Sequence, residues 1–121
     1  MRSVMVKVGP LPDSTPPGAP LINSPTHPDQ DEWYDNNDPT FNWTEPADPS
    51  GIAGYSFVLD QTADTVPDAI IDTTERTKSY ADLADGIWYF HIRAQDGAGN
   101  WGPASHYRVK IRTVFPTAEI T

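Results

Sequence analysis

Apolar and polar residues alternate along much of this chain, whereas a helical period is hard to find. The clearest case is residues 87–95 (IWYFHIRAQ), which place Trp88, Phe90, Ile92 and Ala94 on one side. A period of two is the pattern of a strand with one buried face. We predict a strand here, with those four side chains in the core and His91 on the outer face.

Similar runs predict further strands at residues 20–23, 40–44, 54–60, 77–81 and 106–112, and a weaker, irregular one at 66–72. Turn signals separate them, notably the segments DPSG (48–51) and DGAGN (96–100). Short strands spaced by turns predict an all-β, antiparallel β-sandwich of about seven strands, and the lack of crossover helices excludes a parallel α/β fold. The expected core is Phe41, Trp43, Ile52, Tyr55, Phe57, Leu59, Tyr80, Leu83, Trp88, Phe90, Ile92, Ala94, Tyr107, Val109 and Ile111.

Length and proline distribution predict the domain organisation. The chain has 121 residues, which suits one domain, and ten of its 13 prolines fall in the first 50 residues. We predict a linker at residues 1–19, the sandwich at 20–115 and a second linker at 116–121. Residues 3–8 alternate much as residues 106–111 do, so they are interpreted either as the tail of a preceding repeat or as an added N-terminal extension.

Charge and composition exclude several functional classes. The formal net charge is −9, and between Lys7 and Arg76 there are thirteen acidic residues and no Lys or Arg. Such a surface repels phosphate backbones and anionic lipid, so we expect no nucleic-acid partner and no membrane insertion. The absence of Cys excludes disulfides and thiol nucleophiles.

Catalytic signatures are also missing. No nucleophile elbow, phosphate-binding loop or zinc-protease helix occurs, and His27, His91 and His106 lack ligand spacing. We expect these histidines to be solvated or locally hydrogen-bonded, and the protein not to be an enzyme.

Three segments carry a resemblance to a known family. Residues 83–100 (LADGIWYFHIRAQDGAGN) resemble the corner and sixth strand of fibronectin type III-like modules from prokaryotic surface and secreted proteins. Trp43 is similar to the family's buried second-strand Trp, and Tyr55 to the aromatic residue opening its third strand. The resemblance extends over about residues 15–113, where residues 26–43, 48–61 and 85–111 look like a repeat of large exported proteins.

This resemblance implies an immunoglobulin-like sandwich of the fibronectin type III kind. It further implies a monomeric, non-catalytic, extracellular or cell-surface module that spaces, displays or adheres within a longer polypeptide. Its partners would be neighbouring domains and a cell-surface protein or polysaccharide. One departure is that Trp88 stands where the family has a corner Tyr. We therefore expect the corner hydrogen bond to be absent or to come from the indole N–H.

Calcium binding is one alternative function, with Ca²⁺ the only cofactor considered. Residues 29–38 (DQDEWYDNND) concentrate the hard oxygen ligands that Ca²⁺ prefers, and the candidate ligands are Asp29, Asp31, Asp35 and Asp38. The segment is not an EF-hand, because Trp33 stands at the position of the third calcium ligand and Tyr34 stands where that loop requires glycine. It is similar to a cadherin linker motif, but the partner motifs are missing. The competing interpretation is a solvated acidic loop whose Asp and Asn side chains satisfy the backbone in Asx turns.

Carbohydrate binding is another alternative, as a module attached to a glycoside hydrolase. Sugar rings stack on exposed aromatic faces, and Trp33, Tyr34 and Trp101 lie in predicted loops. The competing interpretation is that Trp33 and Trp101 are buried and anchor those loops, each sealing one end of the sandwich.

Overall fold

The longest strand is the one with the strongest alternation. In the computed structural model, which describes residues 13–114, this strand is β6, and residues 3–8 and 116–121 lie outside the described part. The seven strands are β1 (Ile22–Asn23), β2 (Trp33–Tyr34), β3 (Thr40–Trp43), β4 (Ile52–Asp60), β5 (Thr77–Ser79), β6 (Gly86–Asp96) and β7 (Ser105–Ile111). They form a three-stranded sheet in the order β1-β3-β5 and a four-stranded sheet in the order β2-β7-β6-β4. The predicted all-β sandwich is therefore confirmed.

The core lies between the two sheets where the alternation placed it. Phe57 pairs with Ile92 and Leu59 with Phe90 across the β4–β6 register, so their side chains share one face. The rings of Phe41 and Phe90, from opposite sheets, stack with centroids 4.4 Å apart. All fifteen predicted core residues belong to the hydrophobic cluster, nine fully buried and six partly buried against them.

The pairing departs from the prediction at two places. The sequence predicts a loop at β2, but this segment pairs in parallel with the edge of β7, so the larger sheet is mixed. The run at 66–72 does not form a strand, and only Thr73 bridges to Tyr55 on β4. Pro67 has no N–H to donate, and the carboxylate of Asp68 accepts a hydrogen bond from the Ser56 hydroxyl at 3.0 Å. These interactions hold the segment against β4 without a ladder.

Two of the three histidines are buried, which corrects the expectation of solvated side chains at those two positions. His91 lies on the outer face of β6 as predicted, yet neither it nor His27 is exposed. The ring nitrogens of His27 lie 2.7 Å from the Thr26 hydroxyl and 2.7 Å from the Asn36 carbonyl oxygen. The local hydrogen bonding expected for the histidines is thus confirmed for His27, which ties together the connection between β1 and β3.

Residues 13–20 are extended and lie directly on the sandwich. Pro17 and Pro20 are fully buried, and the Ser105 hydroxyl donates a hydrogen bond to the Pro20 carbonyl. A Cβ at Gly102 would stand 2.2 Å from the Pro17 carbonyl oxygen, so only glycine permits this approach. The chain ahead of β1 is therefore fixed against the start of β7.

The turn that leads into β6 is stabilised by a hydrogen bond from the indole of Trp88. The Trp88 Nε1–H donates a hydrogen bond to the Ala84 carbonyl oxygen at 2.9 Å, as proposed for the missing tyrosine hydroxyl. No helix within residues 13–114 has the length and apolarity needed to cross a membrane.

Candidate functional site

Three carboxylates meet at the end of the sandwich where the chain enters. Asp13 precedes β1, Asp48 opens the turn between β3 and β4, and Asp96 ends β6. One side-chain oxygen from each lies within 4.8 Å of the other two. A Ca²⁺ ion with ligand distances of about 2.4 Å spans such a gap between two of its ligands. We call this group the Asp13–Asp48–Asp96 cluster.

Local hydrogen bonds explain why Asp96 is rigid. The Asp96 side chain is fully buried, and Oδ1 accepts backbone N–H bonds from Ala98 at 3.0 Å and Asn100 at 2.7 Å. Burial opposes ionisation, but the side-chain and backbone hydrogen bonds from Asn100, the contact with the Asp13 side chain and the backbone hydrogen bond from Ala98 outweigh it and hold the pKa of Asp96 below its ordinary value. Asp96 is therefore a carboxylate at neutral pH.

The turn containing Asp48 is pressed against the loop containing Asp96. A Cβ at Gly97 would lie 2.4 Å from the Ser50 carbonyl oxygen, and the Gly97 N–H donates to the Gly51 carbonyl at 2.9 Å. Gly51 has a φ of 75°, which the turn requires. The glycines of the DPSG and DGAGN segments thus bring two aspartates together from distant parts of the sequence.

The cluster has fewer donors than its acceptors require. The Ser50 backbone N–H donates to Asp48 Oδ2 at 3.0 Å, so the Ser50 hydroxyl, which lies 2.9 Å from both Asp13 Oδ2 and Asp48 Oδ2, is free to donate its one proton to Asp13. Asp48 Oδ1 is buried and has no hydrogen-bond partner. Within residues 13–114 the ion pair Arg108–Asp31 and the hydrogen-bonded pair His91–Asp60 lie elsewhere. The arrangement suits a bound cation, which would supply the missing positive charge.

The aspartates predicted as calcium ligands do not form a comparable group among the described residues. Asp29 Oδ1 accepts the Asp31 backbone N–H at 2.9 Å, and Asp38 Oδ1 accepts the Asp82 backbone N–H at 2.8 Å. Asp31 pairs with Arg108, and Asp35 is exposed. The carboxylates of this segment are thus directed to separate partners, and calcium binding there stays a prediction.

The aromatic residues predicted to contact sugar lie at opposite ends of the sandwich. Trp33 pairs beside Lys110, whose partner on β6 is Ile87, whereas Trp101 bridges to Gln95. The backbone positions of the two residues are therefore separated by the distance from Ile87 to Gln95 on β6, about 26 Å at a strand rise of ~3.3 Å per residue.

Cationic groups already cover part of each indole. The Lys110 ammonium and the Arg112 guanidinium lie 4.9 and 4.6 Å from the Trp33 ring, and the Arg93 guanidinium lies 4.8 Å from the Trp101 ring. Tyr34 packs edge-on against His27 with centroids 4.8 Å apart. These three side chains do not form a common platform for a saccharide.

A shallow cavity opens on the outer face of the larger sheet. Its volume is about 170 Å³, and Gln30, Ala63, Tyr89, His106, Tyr107 and Arg108 line it. Pockets for small-molecule ligands usually enclose about 300–1,000 Å³. This cavity is too small and open to support a substrate site.

Sequence reasoning missed Asp13 and noted Asp48 only as a neighbour of the acidic segment. It offered residues 96–101 as one of two loops that could hold a ligand, but it did not name Asp96 as a metal ligand. The sequence contained a pattern that could have predicted two of these residues, because the turn segments DPSG and DGAGN each begin with an aspartate. In an antiparallel sandwich the loop before β4 and the loop after β6 lie at the same end, since β4 and β6 pair in opposite directions.

Comparisons with known proteins support the fold and leave the function open. The sequence matches no model of a known protein family, and no curated protein matches it. Among solved structures, the spore cortex lytic enzyme SleM of Clostridium perfringens matches with a TM-score of 0.51 and 17% sequence identity. The match covers 78% of this chain and 28% of the SleM chain. At this identity the likeness shows the fold alone.

Proposed function

We propose that this protein is a non-catalytic β-sandwich module that spaces and orients its neighbours in a longer exported polypeptide. The observation that carries this proposal is the position of the two chain connections. Residue 13 lies at the end of β6 that contains Asp96, through the hydrogen bond from Asn100 Nδ2 to the Asp13 carbonyl at 2.9 Å. Thr113 lies at the other end, where its backbone N–H donates to Asp85 Oδ1 at 2.8 Å.

Both connections are held against the sandwich. At the outgoing end, one carboxylate of Asp85 also accepts hydrogen bonds from the Thr113 hydroxyl at 2.6 Å and the Val114 N–H at 3.3 Å. At the incoming end, residues 13–20 are docked through buried prolines. A module fixed at both ends sets the direction as well as the distance between its two neighbouring domains.

A distance measurement tests the spacer proposal. The chain has no Cys, so Ser14→Cys and Val114→Cys introduce two unique labelling sites at exposed positions. We expect electron-spin distance measurements to give one narrow distribution near the length of β6, about 35 Å for an 11-residue strand. A broad distribution would show that the connections are loose and would overturn the rigid-spacer proposal.

We further propose that a divalent cation, with Ca²⁺ the best match, occupies the Asp13–Asp48–Asp96 cluster and locks the incoming segment. The convergence of the three carboxylates and the buried, unpartnered Asp48 Oδ1 favour this second role. Because Asp13 lies ahead of β1 and the other two ligands lie in sandwich loops, the ion would join the linker to the domain. Binding only to the folded state raises stability by about 1.4–2.7 kcal/mol at 10–100 times the dissociation constant.

Thermal melts with calcium and with a chelator test this role. We expect calcium to raise the melting temperature of the unaltered protein, and Asp48→Asn to abolish that rise. Asp35→Asn is the matched control, since Asp35 is exposed and lies in the other acidic segment. If Asp35→Asn removes the response and Asp48→Asn keeps it, the ion binds at residues 29–38 instead. If calcium leaves every melt unchanged, neither site exists.

A further inference from the structure

Three titratable side chains form a continuous hydrogen-bonded chain across the outer face of the larger sheet. Asp60 ends β4, and His91 and His106 stand directly opposite each other on β6 and β7. His91 Nε2 lies 2.8 Å from Asp60 Oδ1, and His91 Nδ1 lies 2.7 Å from His106 Nδ1. His91 is fully buried, whereas His106 is exposed. Neither role proposed above uses these groups.

The distances fix the positions of the ring protons. Burial opposes ionisation of Asp60, but hydrogen bonds from Thr65, His91 and Thr62 outweigh it and lower its pKa, so Asp60 is a carboxylate at neutral pH. It needs a proton on His91 Nε2. One proton lies between His91 Nδ1 and His106 Nδ1. A neutral His91 carries a single ring proton, which is already on Nε2, so the proton between the two Nδ1 atoms belongs to His106, and His106 Nδ1 is the donor. His106 Nε2 is then left without a proton.

The hydrogen-bonded series Asp60–His91–His106 can accept one more proton without losing a hydrogen bond, but it cannot accept two. The first added proton is accommodated on the exposed side of His106, at Nε2, with both hydrogen bonds kept. A second proton must go to His91 Nδ1, where it meets the His106 N–H, or to Asp60, where it displaces the His91 N–H. Either position breaks one link of the chain.

The same carboxylate holds the turn after β4. The Thr65 hydroxyl donates to Asp60 Oδ2 at 2.6 Å, and the Thr62 backbone N–H donates to Asp60 Oδ1 at 3.0 Å. Ala63 from this turn lines the shallow cavity together with His106. Asp60 thus joins residues 61–65 to the buried histidine.

We propose that the Asp60–His91–His106 chain is a proton-operated latch that keeps residues 61–65 on the sheet at neutral pH and releases them on acidification. The other titratable or charged groups around it are Tyr89, which stacks on His91 at 6.3 Å, Asp64 on the turn, and Arg108 beside the cavity. The Asp64 carboxylate favours a proton on His106, and the Arg108 guanidinium opposes it.

Two protonation steps set the direction of the pH dependence: the first, on His106, keeps both hydrogen bonds, and the second, at lower pH, breaks one of them. The effect of the first step on stability follows from the pKa of His106. Burial, followed by the charge of His91, lowers the pKa of His106, with Asp64 acting in the opposite sense. A histidine whose pKa is lower in the folded state binds more protons when unfolded. Its contribution to stability is present above the unfolded pKa near 6.5 and is lost as the pH falls towards the folded value.

Nitrogen-detected NMR of the imidazole rings tests the tautomers on the unaltered protein. At pH 7.5 we expect protons on His91 Nε2 and His106 Nδ1, with His91 Nδ1 and His106 Nε2 unprotonated. The opposite pair of tautomers would overturn the latch, because Asp60 would then have no donor from His91.

The release is tested with His106→Asn, at an exposed position where folding should be kept. An amide donates to His91 Nδ1 and, after flipping, accepts from it, so this variant tolerates both states of His91. Between pH 7 and 5 we expect the unaltered protein to lose the NMR contacts between Ala63 and residue 106, and the variant to keep them. We also expect the unfolding equilibrium constant to rise about fivefold more in the unaltered protein, within the tenfold per pH unit that one proton allows. Equal responses in the two proteins would refute the proposal.

His106→Phe provides the complementary test at neutral pH. It removes the donor to His91 Nδ1 without adding a charge, so we expect the contacts of Ala63 to be lost already at pH 7. If they persist, the His106 N–H does not hold the latch. If this variant does not fold, the comparison of the unaltered protein with His106→Asn decides the matter alone.

Discussion

The indole of Trp88 makes a corner hydrogen bond that the resembling family makes with a tyrosine hydroxyl. Its Nε1–H reaches the Ala84 carbonyl oxygen, four residues upstream, and so fixes the turn that leads into β6. Trp88 is only partly buried, at the margin of the core. At this position the hydrogen bond therefore matters as well as the apolar contact.

Replacing this indole by a phenyl ring isolates the hydrogen bond. We expect Trp88→Phe to lower the free energy of unfolding by about 1 kcal/mol, the usual net contribution of one hydrogen bond. Chemical denaturation at neutral pH measures the change. Trp33→Phe serves as the control, since Trp33 is 38% exposed on β2 and should cost less. Equal losses in the two variants would mean that the corner bond contributes nothing.

At the scale of elements, glycine contacts decide how the segment ahead of β1 lies on the sandwich. The nearest atoms to a Cβ at Gly102 are the Pro17 carbonyl oxygen at 2.2 Å and carbon at 3.1 Å, which belong to backbone and cannot rotate away. A methyl group there must displace residues 13–20, the loop after β6, or both.

We expect Gly102→Ala to lower the free energy of unfolding by about 1–3 kcal/mol, as overpacking generally does. In the doubly labelled protein the distance distribution between residues 14 and 114 should also broaden. Gly18→Ala is the matched control, because a Cβ at Gly18 meets nothing within 4 Å. A stable Gly102→Ala variant with a narrow distribution would show that the docked segment does not depend on this contact.

The elements with one buried face could be predicted from the sequence, and so could the short strands β1 and β5, which lie within the predicted runs 20–23 and 77–81. β3, β4, β6 and β7 alternate because every second residue enters the core, and their predicted bounds agree with the structure to within two residues. β2 has only two residues, and its strand character comes from the free edge of β7. Residues 66–72 have strand-like composition, but their aspartates bind Ser56 and the Phe57 N–H instead of forming a ladder.

The candidate site was less predictable for a related reason. A run of acidic residues such as residues 29–38 suggests a metal site in a sequence, but residues that are close in the sequence need not direct their side chains to one point. An Asx turn occupies the Asp29 carboxylate, and the backbone N–H of Asp82 occupies that of Asp38. Asp13, Asp48 and Asp96 converge because three separate connections end at the same place, which only the paired strands determine.

On the scale of the whole molecule, the excess of acidic residues places negative charge at the end of the sandwich that contains residue 13. The formal charge is −9, and three of the carboxylates are gathered at the end where the chain enters. A cation at that end would reduce repulsion at the junction with a preceding module. Calcium would then act on the joint between modules as well as on the fold.

The connections at opposite ends also determine how the protein would respond to being stretched. A tensile load applied through residues 13 and 114 would first meet the hydrogen bonds that Asn100 donates to Asp13 and Thr113 donates to Asp85, before it reached any sheet. Behind the first of these lie Pro17 against Gly102, Pro20 against the start of β7, and the two-residue pairing of β1. The molecule would therefore lengthen first by losing these terminal attachments, while the aromatic core between the two sheets stayed intact.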